Sequence, residues 1–421
     1  MKSVLTGFCC LCLVSAGFAQ EYEPGLTSIE NLEQKVQIIE EFLETRQRFK
    51  VSGYIQAQYQ WGEKDASLGI GNVNDNPNES FNRIGIRRGR IKTTYEDDIT
   101  LGVFQLDITE KGIGLKDAYF GVKDPWGSTN LLKGGVFDRP FGNEISYSSS
   151  RRESPERSAI FQTLFPEERD LGASLTLQAG TTSPWNFLKL EAGLFAGNGV
   201  KQETDNRKDF IGHLSAIKNI GNNAKWGLGI SYYNGGVFQG NENVYTMNGK
   251  AFVLNNNPNN KGKFAKREYV GFDGQFSIMS LFGLSQVRAE YLLGTQPASK
   301  LNSKSPNSST SVITDTYIRD FRGGYVIIVQ DLGQLPLSAV LKYDWYDPNV
   351  EVDRNDVGLN NTGSADLNQN TFGFGMLWRV NNSVRLQAFY EVNNNETSQN
   401  LPTFVKDVKN DVFTLRLQYK F

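Results

Sequence analysis

Long apolar runs are scarce in this sequence. Beyond the N-terminal segment, the chain has no run of about 18 apolar residues, the length that indicates a membrane-crossing helix. Hydrophobic residues make up only 39% of its 421 residues, and the mean hydropathy is −0.42. These values exclude a bundle of membrane helices.

Cysteine is confined to one short segment, residues 1–19, at positions Cys9, Cys10 and Cys12. This segment has a positive Lys2, an apolar stretch and small residues near its end, which is typical of a secretory signal peptide. Its removal would leave a chain without disulfides, a thiolate metal site or a cysteine nucleophile. The alternative is a lipid anchor on a cysteine, but Phe8 and Leu11, which precede Cys9 and Cys12, are large for such a site.

Neither sign of charge dominates the composition. The chain has 44 Lys and Arg against 46 Asp and Glu, which gives a formal net charge of −2. This balance argues against a dedicated nucleic-acid binder.

Signals of catalysis are also missing. The single histidine, His213, has no neighbouring serine and aspartate motif that would indicate a catalytic triad. No glycine-rich phosphate loop occurs. Aspartate-rich stretches at 74–79 and 347–356 could hold calcium, but they lack the ordered spacing of a calcium loop, and solvated loops are the simpler interpretation. We therefore predict a protein that is not an enzyme and needs no cofactor or metal.

A short helical repeat follows the predicted signal, within residues 20–49. Its apolar residues recur at alternating three- and four-residue steps, namely at Ile29, Leu32, Val36, Ile39 and Leu43. This is the spacing of a coiled coil, and its β-branched residues favour three strands over two. We predict a periplasmic coiled coil; the alternative is a single amphipathic helix that lies on its own domain.

From Lys50 to the end, apolar and polar residues alternate. The last segment shows this most clearly, because its odd positions from Phe413 to Phe421 are apolar and its even positions are polar. Such a period of two predicts strands with one apolar face. Sixteen segments qualify: 50–61, 82–95, 98–108, 115–123, 130–137, 171–179, 186–196, 210–218, 225–234, 266–278, 284–293, 316–330, 337–347, 370–379, 383–392 and 411–421.

The connections between these segments alternate between tight turns and longer loops. A soluble sandwich has no reason to place its long loops at one end, whereas a bacterial membrane barrel has short periplasmic turns, long outer loops and an even number of strands. Residues 50–421 therefore predict an all-β fold, a 16-stranded antiparallel transmembrane β-barrel in outer-membrane lipid. The longest connection, 138–170, would fold inward as a constriction loop.

Arginine is concentrated in this loop and in the second strand. The candidates for a positive pore lining are Arg139, Arg151, Arg152, Arg157, Arg169, Arg88 and Arg90. Arginine at a constriction would attract phosphate or carboxylate groups and slow cations. Alternation places Lys92 on the same face as Arg88 and Arg90, and Arg87 on the opposite face, unless a bulge intervenes. The alternative role for these arginines is to pair with the acidic residues of the loop and hold it in place.

The same residues carry a resemblance to a known family. Residues 135–144 (GVFDRPFGNE), 155–158 (PERS) and 168–172 (ERDLG) resemble the strand-five and loop-three signature of the phosphate-selective porin O and P family. Residues 87–90 (RRGR) resemble its arginine-rich early strand, and the terminal Phe421 resembles the assembly signal of bacterial barrels. The resemblance implies a sixteen-stranded homotrimer that passes anions such as phosphate.

We therefore predict a porin of the bacterial cell outer membrane. It would let small hydrophilic solutes diffuse passively, with a preference for anions. The alternative is a structural or adhesin-type barrel that displays its long outer loops for binding.

Overall fold

A computed structural model describes residues 35, 48–306 and 314–421 of the chain. The predicted signal peptide and nearly all of the predicted coiled coil lie outside these residues. The chain divides into two units, residues 1–50 and 51–421, and the second forms a β-barrel. No helix in the described part of the chain is both long and apolar enough to cross a membrane.

The described residues form eighteen strands: β1 Phe49–Gly62, β2 Phe81–Asp97, β3 Thr100–Thr109, β4 Gly112–Lys123, β5 Leu131–Asp138, β6 Arg169–Gln178, β7 Leu188–Phe195, β8 Asp209–Ile220, β9 Ala224–Phe238, β10 Val244–Asn248, β11 Ala251–Asn255, β12 Phe264–Ser280, β13 Gly283–Ala298, β14 Thr316–Asp331, β15 Leu337–Asp347, β16 Gln369–Arg379, β17 Val384–Asn395 and β18 Val412–Lys420. One α-helix, α1, spans Ala159–Leu164. Short 3₁₀ turns lie at Pro258–Asn260, Arg354–Asp356, Ser364–Asp366 and Pro402–Phe404.

Sixteen of these strands, all except β10 and β11, close into one antiparallel barrel. Neighbours in the chain are neighbours in the sheet, and β9 pairs with β12 across the intervening hairpin. Closure is made by β1 and β18, which pair from Tyr54 opposite Lys420 to Gly62 opposite Val412. A closed sheet leaves no unpaired edge for lipid to meet. The predicted 16-stranded antiparallel barrel is confirmed.

Side chains alternate between the lumen and the outer surface. On β18, the polar side chains of Thr414, Arg416 and Gln418 are at most 4% exposed, whereas Leu417 and Tyr419 are about half exposed. The apolar residues therefore face outward and the polar residues face the lumen, as in a barrel that lies in lipid.

The hairpin of β10 and β11 was not predicted. It lies in the loop between β9 and β12, and β10 also pairs in parallel with β14, from Val244 opposite Thr316 to Thr246 opposite Ile318. Each of the two strands has only five residues. Such short strands are held by pairing with distant residues, which sequence alternation does not reveal.

One outer connection is much shorter than expected. The link between β3 and β4, for which the predicted strands 98–108 and 115–123 leave residues 109–114, is a two-residue turn, Glu110–Lys111. Gly112 follows it with a φ of +120°, a conformation that favours glycine. The other seven connections at this end are longer than all those at the opposite end, which have two to nine residues.

Candidate functional site

The connection between β5 and β6, residues 139–168, lies inside the barrel. Its groups bond to inward-facing side chains of six strands, in the pairs Ser149 with Tyr54 on β1, Gly142 with Ser231 on β9, Glu144 with Glu290 on β13, Ala159 with Asp344 on β15, Glu153 with Gln387 on β17, and Pro155 with Arg416 on β18. The wall therefore holds this loop from several sides. We call residues 139–168 the inner loop.

One side of the inner loop packs in an apolar cluster. Its buried members from the loop are Phe141, Ile145, Ile160, Phe161, Leu164 and Phe165. They face aromatic and aliphatic side chains of β5, β7 to β9, β12 to β15 and β17. The Phe165 ring centroid, for example, lies 5.7 Å from that of Tyr269 and 5.9 Å from that of Tyr233. Full burial of one such side chain contributes about 1.5–3 kcal/mol, so this cluster anchors the loop to one side of the barrel.

Helix α1 presents three of these anchors. Ile160, Phe161 and Leu164 are its buried residues, at the three- and four-residue spacing of one helical face. The helix begins after Ser158, whose backbone N–H and hydroxyl donate to the Glu144 carboxylate, the hydroxyl at 2.5 Å. An anionic acceptor near the start of a helix stabilises the helix. The contact between Glu144 and Ser158 also joins the two halves of the inner loop.

Glu156 is the centre of a charge cluster on the polar side of the inner loop. Its carboxylate lies 2.8 Å from Arg87, 2.8 Å from Arg88 and 3.0 Å from Arg416. Burial alone would raise the pKa of Glu156, but the charges of these arginines outweigh it and hold the pKa well below its ordinary value. Glu156 is therefore an anion at neutral pH, and it ties the loop to β2 and β18.

Glu168 forms a second cluster at the other end of the inner loop. It pairs with Arg157, with Lys116 at 3.2 Å and with Arg169 at 3.1 Å. Burial would raise the pKa of Glu168, but the positive charges of Arg157, Lys116 and Arg169 keep it well below its usual range. Arg169 also donates to Asp117 at 2.9 Å, which connects the cluster to β4.

These clusters depend on two places where the strand alternation is broken. Arg87 and Arg88 are consecutive, yet both donate to Glu156. Simple alternation would place them on opposite faces, and a shared face was expected only with a bulge. On β4, the register passes from Gln105 opposite Asp117 to Leu106 opposite Leu115, so that Lys116 is an extra residue. A bulge of this kind re-aims a side chain, and here Lys116 and Asp117 both reach groups of the clusters.

Five of the seven arginines predicted to line the pore are ion-paired. The pairs are Arg88 with Glu156, Arg90 with Asp107, Arg139 with Asp170, Arg157 with Glu168, and Arg169 with Asp117 and Glu168. The alternative that the loop's arginines hold it in place therefore has direct support in these contacts.

The other two arginines have no acidic partner among the described residues. Arg151 is exposed. Arg152 is only 3% exposed, and its Nε and Nη1 atoms lack hydrogen-bond acceptors. Burial and the like charges of Arg157 and Arg88 lower the pKa of Arg152 well below its ordinary value. A guanidinium stays protonated in proteins, so this lowering marks a charge that the local structure leaves uncompensated.

Three polar cavities adjoin the inner loop. The inner cavity has a volume of about 360 Å³. Residues such as Ser52 and Lys420, near the barrel end that carries the tight turns, line it. The outer cavity, of about 460 Å³, is lined by residues of the long connections, such as Asp65 and Asn410. A middle cavity of about 250 Å³ shares lining residues with both.

The three cavities share lining residues. The middle cavity shares Arg90 and Arg157 with the inner cavity, and it shares Arg87, Glu156 and Arg157 with the outer cavity. The three cavities therefore border one another beside the inner loop, and Arg90 and Arg157 lie between the middle and inner cavities.

The inner cavity is the most basic of the three. Its charged lining comprises two acidic residues, Asp117 and Asp138, and six basic residues, Arg90, Lys92, Arg151, Arg157, Arg169 and Lys420. Lys92, Arg151 and Lys420 have no ion pair within the described part of the chain.

Several of these residues were not predicted as part of the site. The available signal was strand alternation. It placed Lys92 on the face of Arg88 and Arg90, and it placed Arg416 and Lys420 on the polar face of the last strand. Their convergence with the inner loop follows from barrel closure between β1 and β18. The participation of Arg87 and Lys116 had no comparable signal, because it depends on broken alternation.

Comparison with known proteins shows similarity of structure rather than of sequence. No family model and no curated protein sequence matches the chain. Among solved structures, the barrel is similar to OmpF of Salmonella typhi, solved in complex with daunomycin, with a TM-score of 0.56, 13% identity, and coverage of 89% of this chain and 97% of that one.

Two further structures show the same likeness. The outer membrane channel DcaP of Acinetobacter baumannii has a TM-score of 0.53 and 12% identity, over 89% of this chain and 97% of its own. The trimer form of OmpT, an outer membrane protein of Vibrio cholerae, has a TM-score of 0.52 and 11% identity, over 89% of this chain and 99% of its own. The fold is thus a porin-like barrel, which supports the predicted location in the bacterial outer membrane.

Proposed function

We propose that this chain is an outer-membrane porin through which small hydrophilic solutes diffuse passively, with a preference for anions such as phosphate. The observation that carries the proposal is the series of three polar cavities beside a loop fixed inside a closed barrel. In a sixteen-stranded barrel the lumen is wide enough for water, and a loop that occupies part of it leaves a narrower, selective passage. Its work is selection and diffusion, with no bond made or broken.

The anion preference is supported by the charges along the inner cavity. Three of its six basic residues have no ion pair within the described residues, so their positive charge is available to a solute. Cationic side chains that line a narrow pore concentrate anions and oppose cations. The resemblance of the inner loop to the phosphate-selective porin O and P family points the same way.

The seven predicted arginines have different proposed roles. Arg90, Arg151, Arg157 and Arg169 line the inner cavity, and Arg88 lines the middle cavity; we propose that these five contact permeating anions. The lining of the three cavities includes neither Arg139 nor Arg152. We propose that these two shape the inner loop and add to the positive field around it.

A homotrimer held partly by the coiled coil at 29–43 completes the proposed assembly. The trimer form of the similar OmpT supports a trimer, and the helical repeat supports three associating copies. We expect an unboiled gel to show trimers for the full protein and fewer trimers when residues 29–43 are deleted. Equal trimer content in both would remove the coiled coil from the proposal.

A plugged barrel that displays its loops for binding is the second candidate. The extent of the apolar cluster favours it, because six side chains of the inner loop fill space inside the barrel. Swelling of vesicles that contain the purified protein separates the two functions. A porin makes vesicles swell in isotonic solutions of small sugars, whereas a plugged barrel does not.

The reversal potential in a salt gradient tests the anion preference. We expect the sign of an anion-preferring channel for the natural protein and a shift towards cations when Arg151→Glu and Arg157→Glu are combined. The exposed Lys225→Gln, outside the lining of the three cavities, is the matched control. An unchanged potential in the double variant would show that these two residues do not select ions.

A further inference from the structure

The charges along the passage change sign from one end to the other. The outer cavity has four acidic residues, Asp65, Glu156, Asp344 and Glu391, and two basic ones, Arg87 and Arg157. The inner cavity has six basic and two acidic residues. The charged lining is thus mainly acidic at the end with the long loops, where Lys342 and Arg416 pair with Asp344 and Glu156 from outside the lining, and mainly basic at the end with the tight turns.

The unpaired charges follow the same arrangement. In the outer cavity, Glu391 has no ion pair within the described residues. In the inner cavity, the corresponding residues are Lys92, Arg151 and Lys420. Paired groups cancel much of each other's field, so these four residues determine most of the remaining asymmetry.

Because long loops face outward in bacterial barrels, the mainly acidic cavity lies towards the outside and the mainly basic cavity lies towards the periplasm. Mobile cations are enriched in the outer cavity, and mobile anions are enriched in the inner cavity. The two zones meet in the middle cavity, where six basic and four acidic residues lie together.

We propose that this passage conducts ions asymmetrically, with a larger current when the outer side is positive. This inference rests on the proposed channel function and adds a direction to it. With the outer side positive, cations enter through the acidic cavity and anions enter through the basic cavity, so both accumulate in the middle and carry current. With the periplasmic side positive, each ion must enter through the zone of its own sign, and the middle cavity is depleted of both.

The effect depends on the range of the fixed charges. The screening length is about 30 Å at 0.01 M salt, about 10 Å at 0.1 M and about 3 Å at 1 M. At low salt each zone therefore acts across the whole width of the passage, and at 1 M it acts only on ions at the wall. Asymmetry should be large in dilute salt and should vanish in concentrated salt.

Current–voltage curves of single channels in planar bilayers test the inference, with equal KCl on both sides. In about 0.01 M KCl, where screening is weak, we expect the current at equal and opposite voltages to differ by about twofold or more, and to become equal in about 1 M KCl. A Ser67→Cys variant assigns the orientation of each channel, because Ser67 lines the outer cavity. A bulky thiol reagent should block it when added to the outer side.

Two charge-removing variants test the cause. Glu391→Gln removes the unpaired charge of the outer cavity, and the triple variant Lys92→Gln, Arg151→Gln and Lys420→Gln removes the unpaired charges of the inner cavity. Each should lower the current ratio towards one while the channel stays open. Glu351→Gln and Lys225→Gln, at exposed positions outside both cavities, should keep the natural ratio.

The outcomes separate this inference from the proposed function. A symmetric current in dilute salt, or a larger current with the periplasmic side positive, would overturn the inference and leave the porin intact. An unchanged ratio in both charge-removing variants would also overturn it. A purified protein that carries no current at all would overturn the porin itself.

Discussion

Removal of the charge on Glu156 should destabilise the protein strongly. The substitution Glu156→Gln keeps the shape of the side chain but leaves Arg87, Arg88 and Arg416 without their shared anion. Removing one partner of a buried ion pair costs about 3–5 kcal/mol, because the remaining charge stays buried and uncompensated. The Glu156 side chain is 17% exposed, so water reaches part of this cluster. We therefore expect a loss at the lower end, about 3 kcal/mol.

Urea unfolding of the protein in lipid vesicles, followed by tryptophan fluorescence, measures this loss. Glu351→Gln is the matched control, since Glu351 is exposed in an outer loop and has no ion pair in the described residues. A double variant that adds Arg88→Met should regain part of the stability, because one uncompensated charge is removed with the anion. If Glu156→Gln and the control unfold within about 0.5 kcal/mol of each other, the cluster does not hold the inner loop.

Two further predictions concern the inner loop. Phe165→Ala should lower the free energy of unfolding by about 3–5 kcal/mol, because it opens a cavity in the apolar cluster, and it should make the single-channel current noisier as the loop loosens. The pKa values of Glu156 and Glu168 are lowered in the folded state. Their contribution to the free energy of unfolding is therefore complete above the ordinary glutamate pKa of about 4.3. It is lost only as the pH falls through the lower pKa values of the folded state. The difference in unfolding free energy between the natural protein and Glu156→Gln should therefore be the same at pH 7 and at about pH 5. A difference that already shrinks at pH 5 would contradict the lowered pKa of Glu156.

The barrel could be predicted from sequence because its signal is local and repeated. Each strand has its own alternation of apolar and polar residues, as β18 shows from Phe413 to Lys420. The length of each connection can then be counted between the predicted strands. Sixteen independent observations then agree on one architecture. Alternation did not predict the hairpin of β10 and β11, because its strands are short and one of them pairs with β14, far along the chain.

The site could be predicted only in part. The enrichment of arginine in the inner loop and in β2 was visible in the sequence, and so was the number of acidic residues available to pair with them. Which charges pair was not visible, because Glu156 and Arg416 are 260 positions apart and meet only when the barrel closes. The two breaks in alternation, at Arg87 and at Lys116, were hidden for the same reason: a bulge is fixed by the neighbouring strand.

Charge pairing also changes the meaning of the arginine cluster. Most of the predicted arginines bind acidic groups, while the unpaired positive charge of the inner cavity's lining lies at Lys92, Arg151 and Lys420. Two of these three residues were outside the predicted set. Arg88, Arg157 and Arg169 both pair with the inner loop's acidic residues and line the cavities, whereas Lys92, Arg151 and Lys420 line the inner cavity without an ion pair in the described residues. Substitution of these last three therefore tests anion preference without breaking an ion pair.

The current through single channels of the purified protein in a planar bilayer tests the central claim most directly. If the three adjoining cavities form one passage, as proposed, the current shows discrete, stable steps, with a reversal potential in a KCl gradient that shows a preference for chloride. Bilayers into which the protein has inserted but which show no such steps would contradict the claim that solutes pass beside the inner loop.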